Sequence, residues 1–410
     1  MRYKSDIRFI NRLFATMLVA VVMAACKNAA EEPEAPARPD SYCIGLYIES
    51  GEKAVSRATP AGDYDPGEGY ENYIDVSGGD FRVALFTADK ADPTADGVLI
   101  GQPTDIRLIP QDDSFTGSKR WLLEIEVDAF VRSMIHKGSC KILMLANWRN
   151  NYPSLEQGTR LSTLFASATP VDYSDGLPVP ALTADDKIAL FGICQYDDVN
   201  LRPNSRVVFD EYLHLLRALA KIEVYNDEAS TDLIESVSIT RHTTKAMPMP
   251  KGVTHQSHYV KGNYNEDYGP GPSLPSATEL TEETEPAAFG KDPATGNFVI
   301  YVPEYRNIFN GEKRDDDKRA RIKVKYRDKM VEYIDFAYYK TTVAADGSGS
   351  YSTVDTSKGT DGHFDILRNY WYKYKLKRNQ SRVTWVVDVV PYAERYLAPG
   401  FGLDYDDGNP

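Results

Sequence analysis

Short apolar runs separated by turn residues dominate the chain beyond residue 40, and their spacing constrains the fold more than any other feature. In the run 321–326, Ile322, Val324 and Tyr326 alternate with charged residues, a period of two typical of a strand with one buried face. Many such runs with Gly, Pro, Asn and Asp connectors predict antiparallel β-sandwiches. Comparable runs lie at 81–86, 121–127, 140–147, 188–194, 221–225, 233–240, 298–302, 370–376 and 383–390.

The length of the chain predicts two such domains. At roughly 100–200 residues per domain, 410 residues are too many for one sandwich. A hydrophobic fraction of 42% is ordinary for a globular protein and excludes wholesale disorder. We therefore predict a mainly β fold of two tandem β-sandwich domains of the transthyretin or immunoglobulin type, with few short helices. A polar stretch at 197–207 interrupts the hydrophobic pattern and places the domains at 58–205 and 206–410.

Charge and motif content exclude several functional classes. The net charge is −13, and a nucleic-acid-binding protein needs a basic face for phosphate, so we expect no nucleic-acid partner. The sequence contains no GxSxG, HExxH, phosphate-binding GxxxxGK[ST] or CxxC motif. The one close histidine pair, His255 and His258, falls in a polar loop. We expect no enzyme activity, no cofactor and no metal site.

The first 25 residues have the pattern of an export signal. Four basic residues in the first twelve positions precede an apolar run at 13–25, which is shorter than the roughly 20 residues that span a bilayer. Cys26 follows small residues directly, which resembles a bacterial lipoprotein signal in which Cys26 is acylated. The alternative is an ordinary secretory signal. Residues 26–57 are then a lipidated tether and first strand, ahead of the first domain.

The cysteines do not form an obvious disulfide framework. If Cys26 carries lipid, an odd number remains: Cys43, Cys140 and Cys194. Cys140 and Cys194 lie in apolar, strand-like runs. Two alternatives stay open for them, a disulfide between the two or a pair of buried free thiols.

Two segments near the chain ends have strong strand patterns. At 42–49, Ile44, Leu46 and Ile48 share one face, and the following Gly-, Pro- and charge-rich connector contains Arg57 before Ala58. Exposed polar connectors are where proteolytic nicking concentrates. Near the C-terminus, one face of the run 383–390 carries four apolar residues, and Pro391 is expected to end that strand. These four residues are Val383, Trp385, Val387 and Val389.

Several segments together resemble the fimbrillin family, the fimbrial subunit lipoproteins of Bacteroidales. The most specific is FDILRNYWYKYKL at 364–376, where an Ile-Leu-Arg-Asn motif precedes alternating aromatics. The lipoprotein start, Arg57 after an early strand, and the segments at 141–148, 216–224 and 233–240 add to the resemblance.

The resemblance implies a structural, non-enzymatic subunit of a surface fimbria. A trypsin-like, Arg-specific protease would cut between Arg57 and Ala58 and release the first strand, and a strand from another subunit's C-terminal end would fill the groove. The implied partners are other fimbrial subunits, that protease, the outer membrane through lipid on Cys26, and host or bacterial surface ligands. Either 383–390 or 392–407 would be the donor strand.

Two other functions are alternatives to a stalk subunit. One is a tip or anchor subunit of the same kind of fimbria, with the anchor retaining its lipid. The other is a surface glycan-binding β-sandwich lipoprotein, in which Tyr370, Trp371 and Tyr372 would stack on sugars. For these aromatics, packing within a strand is the competing interpretation, and their place in a strand-like run favours packing.

Overall fold

Strands form almost all of the regular structure. The computed structural model describes residues 42–49, 71, 73–110, 120–149, 151–180, 187–209, 211–226, 233–250, 253–255, 282–309, 311–337, 340–343, 349–352, 363, 365–379 and 382–391. The predicted processing and lipidation residues Cys26, Arg57 and Ala58 lie outside these ranges. Among the described helices, none is long and apolar enough to cross a bilayer.

The described elements are 25 strands and two short helices, which confirms the predicted mainly β fold. The strands are β1 Tyr42–Glu49, β2 Phe81–Thr87, β3 Leu99–Gly101, β4 Asp105–Pro110, β5 Arg120–Val127, β6 Cys140–Ala146, β7 Val171–Asp172, β8 Leu190–Tyr196, β9 Ser205–Val208, β10 Leu213–His214, β11 Leu216–Arg217, β12 Leu219–Asn226, β13 Ile234–Ile239, β14 Lys245–Ala246, β15 Ala287–Ala288, β16 Gly290–Lys291, β17 Phe298–Pro303, β18 Ile308–Phe309, β19 Glu312–Lys313, β20 Arg321–Tyr326, β21 Val331–Asp335, β22 Lys340–Val343, β23 Gly349–Ser352, β24 Tyr370–Asn379 and β25 Arg382–Pro391; the helices are α1 Ala129–Ile135 and α2 Leu161–Ser167.

The first sandwich consists of two five-stranded sheets. Sheet I has the order β10–β1–β5–β4, with β9 also paired to β1, and sheet II has the order β11–β8–β6–β2–β3. Apolar side chains from the facing sides of both sheets form one core, because alternate residues of each strand point inward. Its members include Ile44, Leu46, Leu123 and Ile125 from sheet I and Val83, Leu85, Ile142, Met144 and Leu190 from sheet II.

The second sandwich repeats this arrangement further along the chain. Sheet III has the order β16–β17–β12–β24–β25, and sheet IV has the order β15–β13–β20–β21. Most neighbours in all four sheets are antiparallel, as predicted, but β1 runs parallel to β9 and β10, and β12 runs parallel to β24. The core between sheets III and IV includes Ile222, Val224, Ile300, Ile322, Val324, Tyr372 and Tyr374.

The two sandwiches meet through a third cluster of buried side chains. The outer face of sheet II contributes Leu143, Leu145 and Phe191, α2 covers this face, and Val299 and Tyr301 of β17 join from sheet III. Both faces of sheet II are therefore buried, which explains why every residue of β6 except Lys141 is apolar.

The chain passes between the sandwiches later than the sequence indicates. Strands β9, β10 and β11, between 205 and 217, pair with strands of the first sandwich, whereas β12 is the first strand of sheet III. The break in the hydrophobic pattern at 197–207 covers the loop after β8 and most of the short strand β9. The division into domains at 58–205 and 206–410 stays a prediction.

A buried polar cluster lies at the junction of the sandwiches. The carboxylate of Glu71 is 3% exposed, accepts a hydrogen bond from the Tyr301 hydroxyl, and lies 3.0 Å from Lys221 Nζ. Arg217 Nε donates to the backbone oxygen of Glu71 at 3.1 Å, and Arg217 Nη1 donates to Asn369 Oδ1 at 3.1 Å. Burial alone would raise the pKa of Glu71, but Lys221, Arg217 and the tyrosine hydroxyl hold it below its ordinary value.

The residues that follow Glu71 are tied to the first sandwich. Asn147 Nδ2 donates to the Tyr73 carbonyl at 2.6 Å, and Lys187 forms an ion pair with Asp75. The backbone of Gly78 also donates to the Asp75 carboxylate, at 2.8 Å. Residues 71–80 therefore join the two sandwiches, with Glu71 fixed against the second and Tyr73 and Asp75 against the first.

We expect Glu71→Ala to destabilise the protein strongly, because it leaves the buried Lys221 ammonium without its counter-charge. The expected loss is about 3–5 kcal/mol in the free energy of unfolding, measured by urea denaturation. Glu235→Ala is the matched control, since Glu235 pairs with Lys325 and Lys329 at a much more exposed site and should lose far less stability. Equal losses in the two variants would contradict a structural role for the Glu71 cluster.

Candidate functional site

The first strand, β1, occupies the centre of sheet I. It pairs with β5 along its full length, from Tyr42 opposite Val127 to Glu49 opposite Arg120. On its other side it pairs with β9 over 42–45 and with β10 over 48–49, and these two strands have no other pairing partner among the described strands. We call the space that β1 fills between β5 and the β9–β10 pair the strand slot.

The inner face of the slot is apolar and closed to water. Ile44 and Leu46 are both 0% exposed and Tyr42 is 7% exposed, and all three belong to the core of the first sandwich. Full burial of an aliphatic side chain contributes about 1.5–3 kcal/mol, so Ile44 and Leu46 together contribute roughly 3–6 kcal/mol. The predicted third residue, Ile48, lies opposite Trp121 and Leu213 in register; its side chain is outside the described part.

The outer face of the slot is crossed by an ion pair. Glu124 of β5 lies opposite Gly45, and Arg206 of β9 lies opposite Cys43, so the two charged residues flank β1 on the same face of the sheet. Arg206 Nη1 forms an ion pair with Glu124 Oε1 across β1. Burial raises the pKa of the Cys43 thiol, and the carboxylates of Glu124 and Glu126 add to the increase.

Close backbone packing holds the far side of the slot in place. The backbone N–H of Phe209 donates to the Gly45 carbonyl at 2.8 Å. Gly192 of β8 lies under the turn from β10 to β11, where an added Cβ would come within 2.7 Å of the His214 carbonyl oxygen. The chain can therefore leave sheet I after His214, pair with β8 in sheet II, and reach Arg217 at the junction cluster.

The three described cysteines are free thiols. Cys140 lies opposite Tyr196, and Cys194 lies opposite Ile142, so the two buried cysteines are on neighbouring strands but not opposite each other. Burial raises the pKa of Cys140 to about 12 and the pKa of Cys194 well above its ordinary value. Of the two alternatives left open by the sequence, the structure contains the pair of buried thiols.

The C-terminal strand β25 pairs within its own sandwich. It runs antiparallel to β24 from Arg382 opposite Asn379 to Pro391 opposite Tyr370, and it is the edge strand of sheet III. The four predicted positions, Val383, Trp385, Val387 and Val389, lie opposite Arg378, Leu376, Tyr374 and Tyr372. Pro391 is the last described residue of the strand, so its predicted role in ending the strand stays a prediction. The second candidate donor, 392–407, lies outside the described residues.

The aromatic residues proposed as a sugar platform are largely occupied by protein contacts. Tyr372 is 1% exposed, its hydroxyl donates to the Asp365 carbonyl at 3.1 Å, and its ring packs edge-on against Phe336. The Trp371 ring is covered by the Lys373 ammonium at 3.4 Å and the Lys221 ammonium at 4.6 Å. These contacts favour strand packing over sugar stacking.

The Ile-Leu-Arg-Asn motif is part of the interior. Ile366 is fully buried, and the Arg368 guanidinium forms a buried ion pair with Glu304 at 2.5 Å. Asn369 accepts hydrogen bonds from Arg217, as described above, and its backbone N–H donates to the Leu219 carbonyl at 3.0 Å. The motif therefore fixes the start of β24 against β12 and the junction.

Sequence reasoning found the inward residues of β1 but missed Gly45 and the Arg206–Glu124 pair. A usable signal was present, because a glycine inside an otherwise apolar strand often marks a place where another chain segment approaches closely. The partners of that glycine lie 79 and 161 residues away in sequence, at Glu124 and Arg206, and no local pattern identifies them.

Comparisons with known proteins return structural neighbours only. No family model matches the chain, and no curated protein matches it in sequence. Among solved structures, the tip fimbrial protein Mfa3 of Porphyromonas gingivalis, C-terminally truncated, is 11% identical with a TM-score of 0.46, covering 86% of this chain and 99% of that chain. A fimbrial assembly protein from Parabacteroides distasonis is 14% identical with a TM-score of 0.35, covering 85% and 95%.

The fimbrial anchor protein Mfa2 of P. gingivalis is also a neighbour, at 8% identity and a TM-score of 0.28, covering 85% of this chain and 97% of that chain. These three neighbours are fimbrial proteins, and other neighbours are described as putative cell adhesion or putative polysaccharide binding proteins. Because all three TM-scores are below 0.5, the proposals below rest on this chain's own residues.

We expect acid to weaken the slot through His214. Burial lowers the pKa of this β10 histidine to about 4, whereas the unfolded chain takes up a proton below about 6.5. The stabilisation that neutral His214 adds to the free energy of unfolding is therefore complete above about pH 6.5. It is lost as the pH falls from about 6.5 to 4, by up to about 1.4 kcal/mol per pH unit.

Urea unfolding at about pH 7 and about pH 5 measures this contribution. His214→Gln should reduce the difference in unfolding free energy between the two pH values by about 2 kcal/mol. An unchanged difference in His214→Gln would show that the acid dependence comes from other groups.

Proposed function

We propose that this protein is a structural subunit of a bacterial surface fimbria, exported as a lipoprotein and polymerised by strand replacement after proteolysis. The observation that carries the proposal is the position of β1. It is the first described strand, it fills the centre of sheet I, and its only covalent link to the rest of the fold is the connector that contains Arg57.

Cleavage between Arg57 and Ala58 would leave β1 held by non-covalent contacts alone. Its departure would open an apolar groove, floored by the side chains that now pack against Ile44 and Leu46. The groove would have unpaired backbone on both sides, on β5 and on β9 and β10. Such edges accept an added strand, with main-chain hydrogen bonds giving affinity and side-chain pockets giving specificity.

The cut would not detach the new N-terminus from the fold. Glu71 stays anchored by Lys221, Tyr301 and Arg217, and Asp75 stays paired with Lys187. Only the segment up to Arg57 would therefore leave, which supports processing that removes β1 without loosening either sandwich.

The proposal assigns the protein to the cell surface and to the outer membrane. Its partners would be other fimbrial subunits, an Arg-specific trypsin-like protease, the membrane through lipid on Cys26 before processing, and surface ligands on host or bacterial cells. The same geometry suits a stalk subunit, which both accepts and donates a strand. It also suits a tip subunit, which would carry out only one of these two steps. An anchor would keep both β1 and its lipid.

Arg57 is expected to be the first site of limited trypsin cleavage, because it lies in a Gly- and Pro-rich connector. N-terminal sequencing after brief digestion should begin at Ala58, and Arg57→Ala should abolish both this product and assembly. Arg202→Ala, at an exposed loop position of the first sandwich, should leave both unchanged. A first product beginning elsewhere, or assembly by Arg57→Ala, would contradict the processing scheme.

Two truncations separate the candidate donor strands. Deleting 392–410 should leave a folded monomer that does not polymerise, as judged by size-exclusion chromatography and negative-stain electron microscopy. Deletion from Val383 should unfold the second sandwich, because β24 would lose its partner over ten residues. Normal polymers formed by the chain without 392–410 would eliminate that segment as the donor strand. Binding to a glycan array by a chain that forms no polymers would support the glycan-binding alternative.

A further inference from the structure

Gly45 is an unusual residue for the centre of a sheet. Glycine weakens a strand interior, because it has no side chain to pack and has the most conformational freedom to lose. Its neighbours Ile44 and Leu46 are fully buried on the inner face, so Gly45 points to the outer face. That is the face on which Arg206 reaches across β1 to Glu124. We call this ion pair the clasp.

The space above Gly45 is limited by two residues of β9, Val208 and the arginine of the clasp. A Cβ atom at this position would lie 3.4 Å from Val208 Cγ2 and 3.5 Å from Arg206 Cδ, which are ordinary contact distances. An alanine side chain therefore just fits. A longer side chain would have to displace the arginine stem and break the ion pair beyond it.

The clasp contributes little attraction of its own. The Glu124 side chain is 15% exposed, but the Arg206 side chain is 50% exposed, so solvent screens the pair, and partly exposed ion pairs are typically worth about 0–1 kcal/mol. Its effect on β1 is therefore steric rather than electrostatic. It excludes side chains longer than that of alanine from one outward position of whichever strand lies beneath it.

This exclusion distinguishes between strand registers that the apolar face of the slot accepts equally well. A one-residue slip of a strand moves its apolar residues to the wrong face, but a two-residue slip restores them to the correct one. Inward pockets for alternate residues therefore distinguish poorly between registers two residues apart. Under the clasp, such a slip would put Cys43 or Tyr47 in place of Gly45.

We propose that the Arg206–Glu124 pair fixes strand register in the slot by selecting a residue no larger than alanine, here glycine, at the position opposite Glu124. The selection applies to β1 and, on the basis of the proposed function, to the strand that replaces it. Arg206 and Glu124 are thus specificity-determining residues, and the strand they favour has a glycine between two inward apolar residues.

The C-terminal segment of another copy of this chain carries that pattern. An apolar–Gly–aliphatic triplet occurs three times in the sequence: in β1 (44–46), inside β8 (191–193), and at 401–403. The copy in β8 is already paired with β6 along its length, and its Phe191 also pairs with β11. Aligned on the glycine, FGLDYD at 401–406 follows IGLYIE at 44–49, with Phe401, Leu403 and Tyr405 in place of Ile44, Leu46 and Ile48. Gly402 would then lie beneath the clasp.

A first experiment tests the clasp on the uncleaved, full-length chain and does not depend on polymerisation. Intrinsic strand preference predicts that Gly45→Val is stabilising. The clasp predicts the opposite, a fall in melting temperature of about 3 °C or more. Cys43→Val, on the same outer face, is the control and should change the melting temperature by less than about 1 °C.

Arg206→Ala should restore the melting temperature of Gly45→Val, because it removes the obstructing stem. Should Gly45→Val fail to fold, Gly45→Ala must still fold with a near-normal melting temperature, and the double variant Gly45→Val with Arg206→Ala must fold. A Gly45→Val chain as stable as Cys43→Val, or one that Arg206→Ala does not rescue, would overturn the proposal.

A second experiment tests the replacing strand. A synthetic peptide of residues 392–410 is added to protein cleaved at Arg57, and binding is measured by fluorescence anisotropy. The Gly402→Val peptide should bind at least about tenfold more weakly, a difference of about 1.4 kcal/mol, and Arg206→Ala protein should bind both peptides equally. Equal binding of both peptides to the unaltered protein would overturn selection by the clasp. No binding of either peptide, with the thermal result as expected, would overturn strand replacement and restrict the clasp to β1.

Discussion

Sheet I depends on its first strand. On one side of β1 lies the β5–β4 pair, and on the other lie β9 and β10, which pair with nothing else among the described strands. Taking β1 away would divide the sheet and expose apolar side chains along its whole length. Loss of β1 would therefore weaken the first sandwich, because the apolar side chains that it now covers would meet water, and the backbone of its neighbours would lose its pairing.

The junction cluster determines what else would move when β1 leaves. The connector from 50 to 70 begins where Glu49 lies opposite His214 and ends at Glu71, which Arg217 contacts only three residues beyond His214. Both ends of the connector therefore meet the fold at the same place. Because Glu71 is fully buried and paired there, a cut in the connector separates a strand held by reversible pairing from a chain end held by a buried ion pair.

The sequence predicts where each strand lies better than it predicts which strands pair and which distant residues meet. Alternation in 321–326 correctly identifies β20 and its buried face, and the apolar run at 140–147 correctly identifies β6, since the period of two is a property of each strand alone. It does not reveal that β9, β10 and β11 belong to the first sandwich, that β12 pairs parallel to β24, or that Glu71 meets Lys221 and Tyr301. Those contacts join residues far apart in sequence, and many pairings satisfy the same alternation.

Register is the property that alternation specifies least and that an exchangeable strand needs most. A strand that buries several side chains leaves slowly, so one inserted two residues out of register would persist rather than correct itself. An obstacle that acts while the strand enters is therefore more useful than extra attraction after it has entered. Arg206 and Glu124 fit that requirement, because their exposed ion pair adds little to the stability of β1, yet the arginine stem lies in contact distance of the one outward position that has no side chain. The glycine in β1 that costs the strand some stability is, on this view, what allows the slot to distinguish the correct register from its neighbours.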